Sequence, residues 1–377
     1  MTQPASDQSI AGPGTGRRVR VSVMMPAFNA GRYIRDAIDS VLAQQFADWE
    51  LVIVDDGSTD DTHTIAASIR DRRIRVLRQA NRGEAAARNA ALRAVRGDYL
   101  AFLDADDLYL PNHLALVLGC FRLHPGTAGV FTDGFHITEE GRPLRALSSR
   151  RRPARSGQVF DEIVYGSDFL GPPLCVVLRR DLIERHRLRF DEGIVMGPDW
   201  DFFVRFSALG PFQYVDQPTC LYRVHRQSIT TTLDAGARRR ERAKCRTRAI
   251  KLPAFGSCPV RVRFNVFHDL LVVALRQEPE LQEEAIRWPE FQALPGQEQC
   301  RLLRLMAAEG ILLEYDPAVI RRWLDAARQM NPGDLKAMAV ASLFTAHRGA
   351  LGALLRARRG RALHTIDLPP FADLGID

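Results

Sequence analysis

Apolar residues in the first third of the chain follow two alternating patterns. Short runs, VRVSVMM (19–25), ELVIVDD (50–56), IRVLR (74–78) and DYLAFLD (98–104), are rich in branched and aromatic side chains and end at turn residues, which predicts strands. Between them, Ile34, Ala37, Ile38, Val41 and Leu42 recur at helical spacing after Gly31. A helix is also expected from Thr62, capped by Ser58, Thr59 or Asp60, and EAAARNAALRAV (84–95) is an Ala-rich helix. Such alternation with short connections predicts an α/β fold with a mostly parallel sheet covered by helices on both faces. Ligands of such sheets bind beyond the carboxyl ends of the strands. The polar punctuation falls there three times, as PAFN, DDGS and DADD.

Farther along the pattern loosens. It predicts a helix over 111–124, a strand near AGVFT (128–132), and a basic, turn-rich loop over 139–158 that includes SSRRRPAR. A strand at PLCVVLRR (173–180), a helix from Asp199 to about Leu209 and a strand near FQYVD (212–216) follow. Beyond Thr232 the chain becomes Arg-rich and then Leu/Ala/Arg-rich, with LQEEAIRW, CRLLRLMAAEG, AVIRRWLDAARQM and LKAMAVASLF reading as helices. The expected organisation is a disordered Gly/Pro/Ser/Gln-rich segment (1–17), an α/β domain (18–235) and a C-terminal helical appendage (236–377).

Composition narrows the classes. With 377 residues, 46% hydrophobic and 26% charged, the chain is an ordinary globular protein with enough length for a full core. No apolar run reaches the roughly 20 residues needed to span a bilayer, and no secretory signal is visible. The six cysteines are scattered without a C-x-x-C pair, which argues against zinc and for reduced, cytoplasmic thiols. A net charge of +7 suits an anionic partner, namely a nucleotide, nucleic acid or an anionic membrane surface. Nucleic acid is set aside, because no recognition motif accompanies the charge.

Candidate chemistry centres on FLDADDLYLP, where Asp104, Asp106 and Asp107 crowd the end of a predicted strand. Carboxylates placed so close repel one another, and a divalent cation that binds one or two of them plus substrate phosphates relieves that repulsion. On an extended segment Asp104 and Asp106 point the same way. The competing reading is a solvated acidic turn that caps the next helix. In VDDGSTD, Asp55 or Asp56 can accept a hydrogen bond from a nucleobase imide N–H, which uracil and thymine offer; an Asx turn or helix cap uses the same residues.

Taken in order, SVMMPAFNAGRYIRDAIDSVLAQQFADWELVIVDDGSTDDT, NRGEAAARNAAL, GDYLAFLDADDLYLP, RFDEGIVMGPDWDFFVRFSALG and LYRVHRQSIT resemble the inverting family 2 glycosyltransferases of the GT-A fold, over about residues 18–232. The resemblance implies that Pro26, Ala27 and Asn29 pack against the base and ribose of a nucleotide sugar. It puts Asp56 or Asp55 on the base imide, and Arg82 and Arg88 near base or phosphate. It assigns Asp104 to the ribose and Asp106 to a Mn²⁺ or Mg²⁺ ion that bridges the two phosphates, with Asp107 orienting its neighbours.

It also implies a general base in GPDWDFF, with Asp199 first and Asp201 second; members of the family usually have Glu-Asp where this chain has Pro198-Asp199. His225 would contact the diphosphate or the metal, and Arg223 and Arg226 could pair with phosphate. Activity is then transfer of a sugar from a nucleotide-diphosphate donor, a UDP-sugar by the imide argument, to a glycan or lipid-linked acceptor in building a bacterial surface glycan. The alternatives are a sugar nucleotidyltransferase, whose Gly-rich phosphate loop MMPAFNAGRY does not match, and an inactive binding module. The Arg-rich stretches 237–248 and 355–364 would allow peripheral association with the inner face of the membrane.

Overall fold

The computed structural model describes residues 20–225 and 234–362, the side chains of 358–362 excepted. The segment expected to be disordered (1–17) lies outside the described residues, as does Arg226. In chain order the main elements are β1 (Val21–Ala27), α1 (Ile34–Leu42), β2 (Trp49–Asp55), α2 (Thr62–Ser68), β3 (Ile74–Arg78), α3 (Glu84–Ala94), β4 (Tyr99–Phe102) and β5 (Leu108–Tyr109). Then come α4 (His113–Leu123), β6 (Gly129–Ile137), β7 (Pro143–Ala146), α5 (Phe160–Tyr165), β8 (Val176–Arg179), α6 (Arg180–Arg185), α7 (Pro198–Ser207) and β9 (Phe212–Arg223). The C-terminal part is helical: α8 (Ala235–Ile250), α9 (Val260–His268), α10 (Pro279–Ala285), α11 (Pro289–Gln292), α12 (Gly296–Leu312), α13 (Pro317–Met330) and α14 (Leu335–Ala362).

One sheet runs β3-β2-β1-β4-β8-β6-β9-β5, with β7 beside β6. Its first four strands are parallel, as the alternation predicts, and its second half is mixed. Register carries Ala27 opposite Asp55 and Asp55 opposite Arg78, so the carboxyl ends of β1, β2 and β3 form one edge. Two expectations are corrected. The segment 139–158 is not all loop, since β7 pairs with β6 there, and the strand expected at 212–216 continues to Arg223 because β6 and then β5 give it partners.

Strands buried on both faces divide their apolar residues between two cores. Val21, Val23, Met25, Leu51 and Ile53 face α1 and α4, whereas Met24, Val52, Val54, Leu100 and Phe102 face α3, α5 and α7. The C-terminal helices join this second core through Phe255, Phe267, Phe291 and Trp323, so they share packing with the sheet. A further correction concerns apolar length. Leu335–Ala357 of α14, 23 residues that hold an 18-residue window of mean hydropathy 1.3, is long and apolar enough to cross a membrane, because Ala and Gly dilute its charges.

A buried carboxylate clips the parallel half together from the edge opposite the site. Glu50, 1% exposed on β2, accepts from Ser22 Oγ (2.6 Å), Arg96 N (2.6 Å), Arg96 Nη2 (3.0 Å) and Arg75 Nη2 (3.0 Å). Burial alone would push its carboxyl up, but these donors outweigh burial and hold it below the usual carboxylate range. Stability therefore falls as pH drops through the folded-state value, since the unfolded chain takes up the proton first. Replacing Glu50 with Ala leaves the buried Ser22 hydroxyl and the Arg96 N–H without their acceptor and is expected to cost about 1–3 kcal/mol. Denaturant unfolding of Glu50→Ala beside the parent at pH 7 measures it.

Candidate active site

The first two loops are stitched to each other by short polar side chains. Asn29, with φ 49°, accepts from Thr59 N (2.9 Å) through Oδ1, while its own N–H donates to Ser58 Oγ (3.0 Å). Ala30 N donates to Thr62 Oγ1 (2.7 Å) and Gly31 N to Asp60 Oδ2 (2.9 Å). Asn tolerates the left-handed backbone this turn requires. Gly57 (φ 75°) has no such latitude, because a Cβ there would lie 2.7 Å from Asn81 N. Pro26 and Ala27 are the last rungs of β1, and Phe28 beyond them holds its ring half exposed. Phe28 was not among the expected site residues; its signal in the sequence is a large aromatic in a loop whose polar neighbours keep it open to solvent.

Asp55 and Asp56 sit at the end of β2, both nearly fully buried. Asp55 Oδ1 accepts from Ser58 N (2.9 Å), and Oδ2 faces Arg78 Nε (3.1 Å) and His63 Nδ1 (3.4 Å). Asp56 accepts from Gln79 Nε2 (2.7 Å), Arg82 N (3.0 Å) and Gly83 N (2.8 Å), which folds NRG against the β2 edge. The Arg82 guanidinium turns outward to Glu192 (2.8 Å). The Asx-turn reading of VDDGSTD also holds, since Asp60 accepts from Thr62 N (3.0 Å), whereas the N-cap position, Asp61, makes no side-chain cap bond.

The acidic loop after β4 is a turn, not an extended strand, and this corrects the expectation that Asp104 and Asp106 point the same way. Asp104 Oδ1 accepts from Arg88 Nη2 (2.8 Å), whereas Asp106 Oδ2 meets His225 Nε2 (2.8 Å). Asp107, 1% exposed, accepts from Arg223 N (2.8 Å), and its other oxygen has no partner among the described residues. Arg223 fastens this turn by donating from Nε to the Asp106 carbonyl (2.8 Å) and from Nη1 to the Glu139 carbonyl (2.6 Å). His225 stacks on Tyr33 at 5.3 Å, and Tyr33 donates to Glu139 (2.7 Å).

Arg88, 1% exposed on α3, reaches Glu84 and Asp104 with one nitrogen, at 2.8 Å each. Next to it, Asn89 donates to the Phe190 carbonyl (2.9 Å) and accepts from Phe190 N (2.9 Å). This pair of bonds fixes the segment that leads to α7, so Asn89 is a site-building residue the reading did not single out, although ARN was in view. At the start of α7, Pro198 occupies the first turn behind a left-handed Gly197 (φ 80°). The carboxylate of Asp199 makes no hydrogen bond or ion pair among the described residues. It feels the charges of Glu84, Arg88 and Asp104 and lines a shallow recess with Trp200, Ile163, Ser167, Leu170 and Phe203. Trp200 is held there by its Nε1–H, which donates to the Ile163 carbonyl (2.9 Å).

Asp201 is elsewhere. It is 2% exposed and locked to Arg205 Nη2 (2.6 Å) on one oxygen and to Arg248 Nε (3.1 Å) on the other. Two residues along a helix are about 200° apart, so Asp199 and Asp201 face opposite sides. Asp201 joins α7 to α8 and has no free oxygen for a proton, which removes it as the second candidate base.

Five carboxylates, Glu84, Asp104, Asp106, Asp107 and Asp199, act on one another here against two guanidinium groups, Arg88 and Arg223. Burial, then Asp106 and Asp199, pushes the Asp104 carboxyl up against the pull of Arg88. Asp107 is raised well above its ordinary value by burial and by Asp106 and Asp104. Burial also pushes Glu84 up, to about 7, with Arg88 opposing. Among the described residues no three His, Cys, Asp or Glu side chains converge into a ready-made metal cage. A hard cation held by one or two carboxylates and completed by phosphates needs no such cage. The surplus of negative charge and the orphaned oxygen of Asp107 fit such an ion, with Asp106 and His225 as the residues that would hold it.

Glu84 makes stability depend on pH. Between its ordinary value of 4.5 and about 7 the folded chain keeps a proton that the unfolded chain has released, so stability falls as pH rises through that window. Glu84→Gln is expected to flatten this fall. Chemical denaturation of both proteins from pH 4.5 to 7.5 checks it, and parallel curves would contradict it.

A sequence model described as glycosyl transferase family 2 matches residues 22–187. Chondroitin synthase of Escherichia coli is 32% identical over 209 residues, 54% of this chain and 29% of that protein. The succinoglycan biosynthesis protein ExoO of Rhizobium meliloti is 31% identical over 221 residues, 56% of this chain and 63% of that protein. The chain thus spans less than two thirds of either relative. Among solved structures, S. aureus TarS 1-349 superposes with a TM-score of 0.55 at 16% identity, covering 92% of this chain and 93% of that one. Its complex with UDP-GlcNAc gives 0.57 at 18%, covering 83% and 90%. The fold is that of the GT-A glycosyltransferases, and residues 22–187, less than half of the chain, are similar to glycosyl transferase family 2.

Proposed function

We propose that this chain is an inverting glycosyltransferase that moves a sugar from a UDP-sugar to a hydroxyl of a glycan or lipid-linked acceptor, at the inner face of the membrane. The observation that carries the reading is the position of Asp199. Its carboxylate is unpaired among the described residues and stands between the acidic cluster and the recess walled by Trp200. That is where a base must sit to meet an acceptor on the face of the sugar opposite the leaving group.

The steps follow from the side chains. The exposed Phe28 ring offers a stacking face for a planar base, and Asp56, whose Oδ2 holds only Gly83 N, offers an acceptor for its imide N–H, Asp55 being engaged on both oxygens. Asp104, held by Arg88, faces the ribose. The acceptor hydroxyl enters the recess and gives its proton to Asp199 as its oxygen bonds to the anomeric carbon. The bond from that carbon to the phosphate oxygen breaks, and its electron pair leaves on the nucleoside diphosphate. A divalent cation on Asp106 and His225, when bound, supplies Lewis-acid stabilisation of that leaving group. The bound donor of the TarS complex and the glycan-building names of the two relatives support a UDP-sugar and a surface-glycan product.

Asp199→Asn is expected to keep UDP binding while lowering turnover of the donor by about 10²–10⁴-fold, the usual contribution of a general base. UDP release from a panel of UDP-sugars measures this. If Asp199→Asn turns over like the parent, the base assignment fails.

A further inference from the structure

The two Arg-rich stretches of the C-terminal region differ in what they do with their charge. Four of the basic residues of α8 pair with acids of the fold. Arg242 (3.1 Å) and Arg246 (2.5 Å) pair with Asp269, Lys244 (2.7 Å) pairs with Glu241, and Arg248 pairs with Asp191 and Asp201. Arg246 also donates to the Tyr165 carbonyl (3.0 Å) and covers Trp200. This stretch is therefore mostly a brace between α7 and the C-terminal helices. The other stretch lies at the end of α14, where Arg356 is exposed and has no ion pair among the described residues. In the sequence Arg358, Arg359 and Arg361 follow it.

Helix α14 holds no Asp or Glu between Leu335 and Ala362, and it carries Lys336, Arg348 and the four arginines from 356 to 361. It packs on α12 and α13 by one stripe, through Ala337, Phe344 and Leu351. The stripe opposite Ala337 and Phe344 holds Leu335, Ala339, Ser342 and Ala346, all exposed, flanked by Met338 and Leu343. Leu335 is 77% exposed and Leu354 52%, in a fold that buries most of its large apolar side chains. An exposed apolar stripe on a helix without acidic residues and with a basic C-terminal sequence is what an interfacial helix presents to anionic lipid.

We propose that the outward face of α14 docks on an anionic lipid bilayer, lying in the headgroup region with Arg356 against lipid phosphates. The inference rests on charge and exposure in α14 and is independent of the transferase reading. Crossing the bilayer is a poorer fit, despite sufficient length. The helix breaks at His347 (φ −147°), and Ala337, Phe344 and Leu351 are already committed to α12 and α13. A second copy on this face is opposed by charge, since it would bring two acid-free basic helices together.

The test is sedimentation of the full chain with vesicles of phosphatidylcholine alone and of phosphatidylcholine with phosphatidylglycerol, at low and high salt. Binding is expected only to the anionic vesicles and is expected to be lost in high salt, where screening shortens to about 3 Å at 1 M. Leu335→Glu with Leu354→Glu should abolish it. Arg356→Glu should weaken it several-fold, about fivefold for each charge removed. Arg93→Glu, an equal charge change at an exposed position of α3, should leave it unchanged, with thermal melting confirming that each variant folds. Equal binding to both vesicle types, no binding, retention in high salt as expected of a spanning helix, or equal loss with Arg93→Glu would each overturn the proposal. So would self-association in sedimentation equilibrium that the two Leu→Glu changes remove. No sugar is present, so failure here is separate from failure of the transferase reading.

Discussion

Arg88 is the charge on which the site depends. A guanidinium with 1% exposure stays ionised only if its neighbours repay the lost hydration, and Glu84 and Asp104 do so at 2.8 Å each. Burial opposes its charge, yet those two acids hold its pKa above the ordinary value. The arrangement fixes Asp104 at the end of β4 and ties α3 to that loop, while the next residue, Asn89, ties α3 to Phe190 and the segment before α7. One turn of α3 thus sets the distance between the acidic loop and Asp199. Arg88 neutralises only part of the local charge, and the remainder is what an incoming cation would satisfy.

The rest of the fold keeps this unfavourable cluster in place. The parallel strands bury both faces, so their carboxyl ends cannot slip in register without turning apolar side chains into solvent. The C-terminal helices add a second constraint from behind. Arg248 of α8 reaches Asp201 on the far side of α7, so α7 is held from the back while Asp199 looks forward. In this way the helical region takes part in presenting Asp199, besides offering its own outward face on α14.

Strands, the helices α1, α3 and α7, and the acidic motifs were legible because each is a local pattern, of apolar period or of residues a few positions apart. What escaped depends on contacts far along the chain. Nothing local marks β7 or the length of β9, which come from pairing with β6. Asp199 and Asp201 are equivalent in a string of letters, and only helix geometry and Arg248, 47 positions after Asp201 in the numbering, separate them. Asp104 and Asp106 were read on an extended segment, where spacing of two means one direction; the turn gives them Arg88 and His225 instead. The charge of 237–248 looked like a surface feature because its acidic partners, Asp191, Asp201 and Asp269, lie in other segments.

The central claim is that the acids after β4 form a cation-dependent nucleotide site. Isothermal titration of UDP into the chain with Mn²⁺, and again with EDTA, tests it most directly. The account predicts binding with Mn²⁺ that EDTA removes and that Asp106→Ala abolishes. UDP binding of equal strength in EDTA, or unchanged in Asp106→Ala, would contradict it.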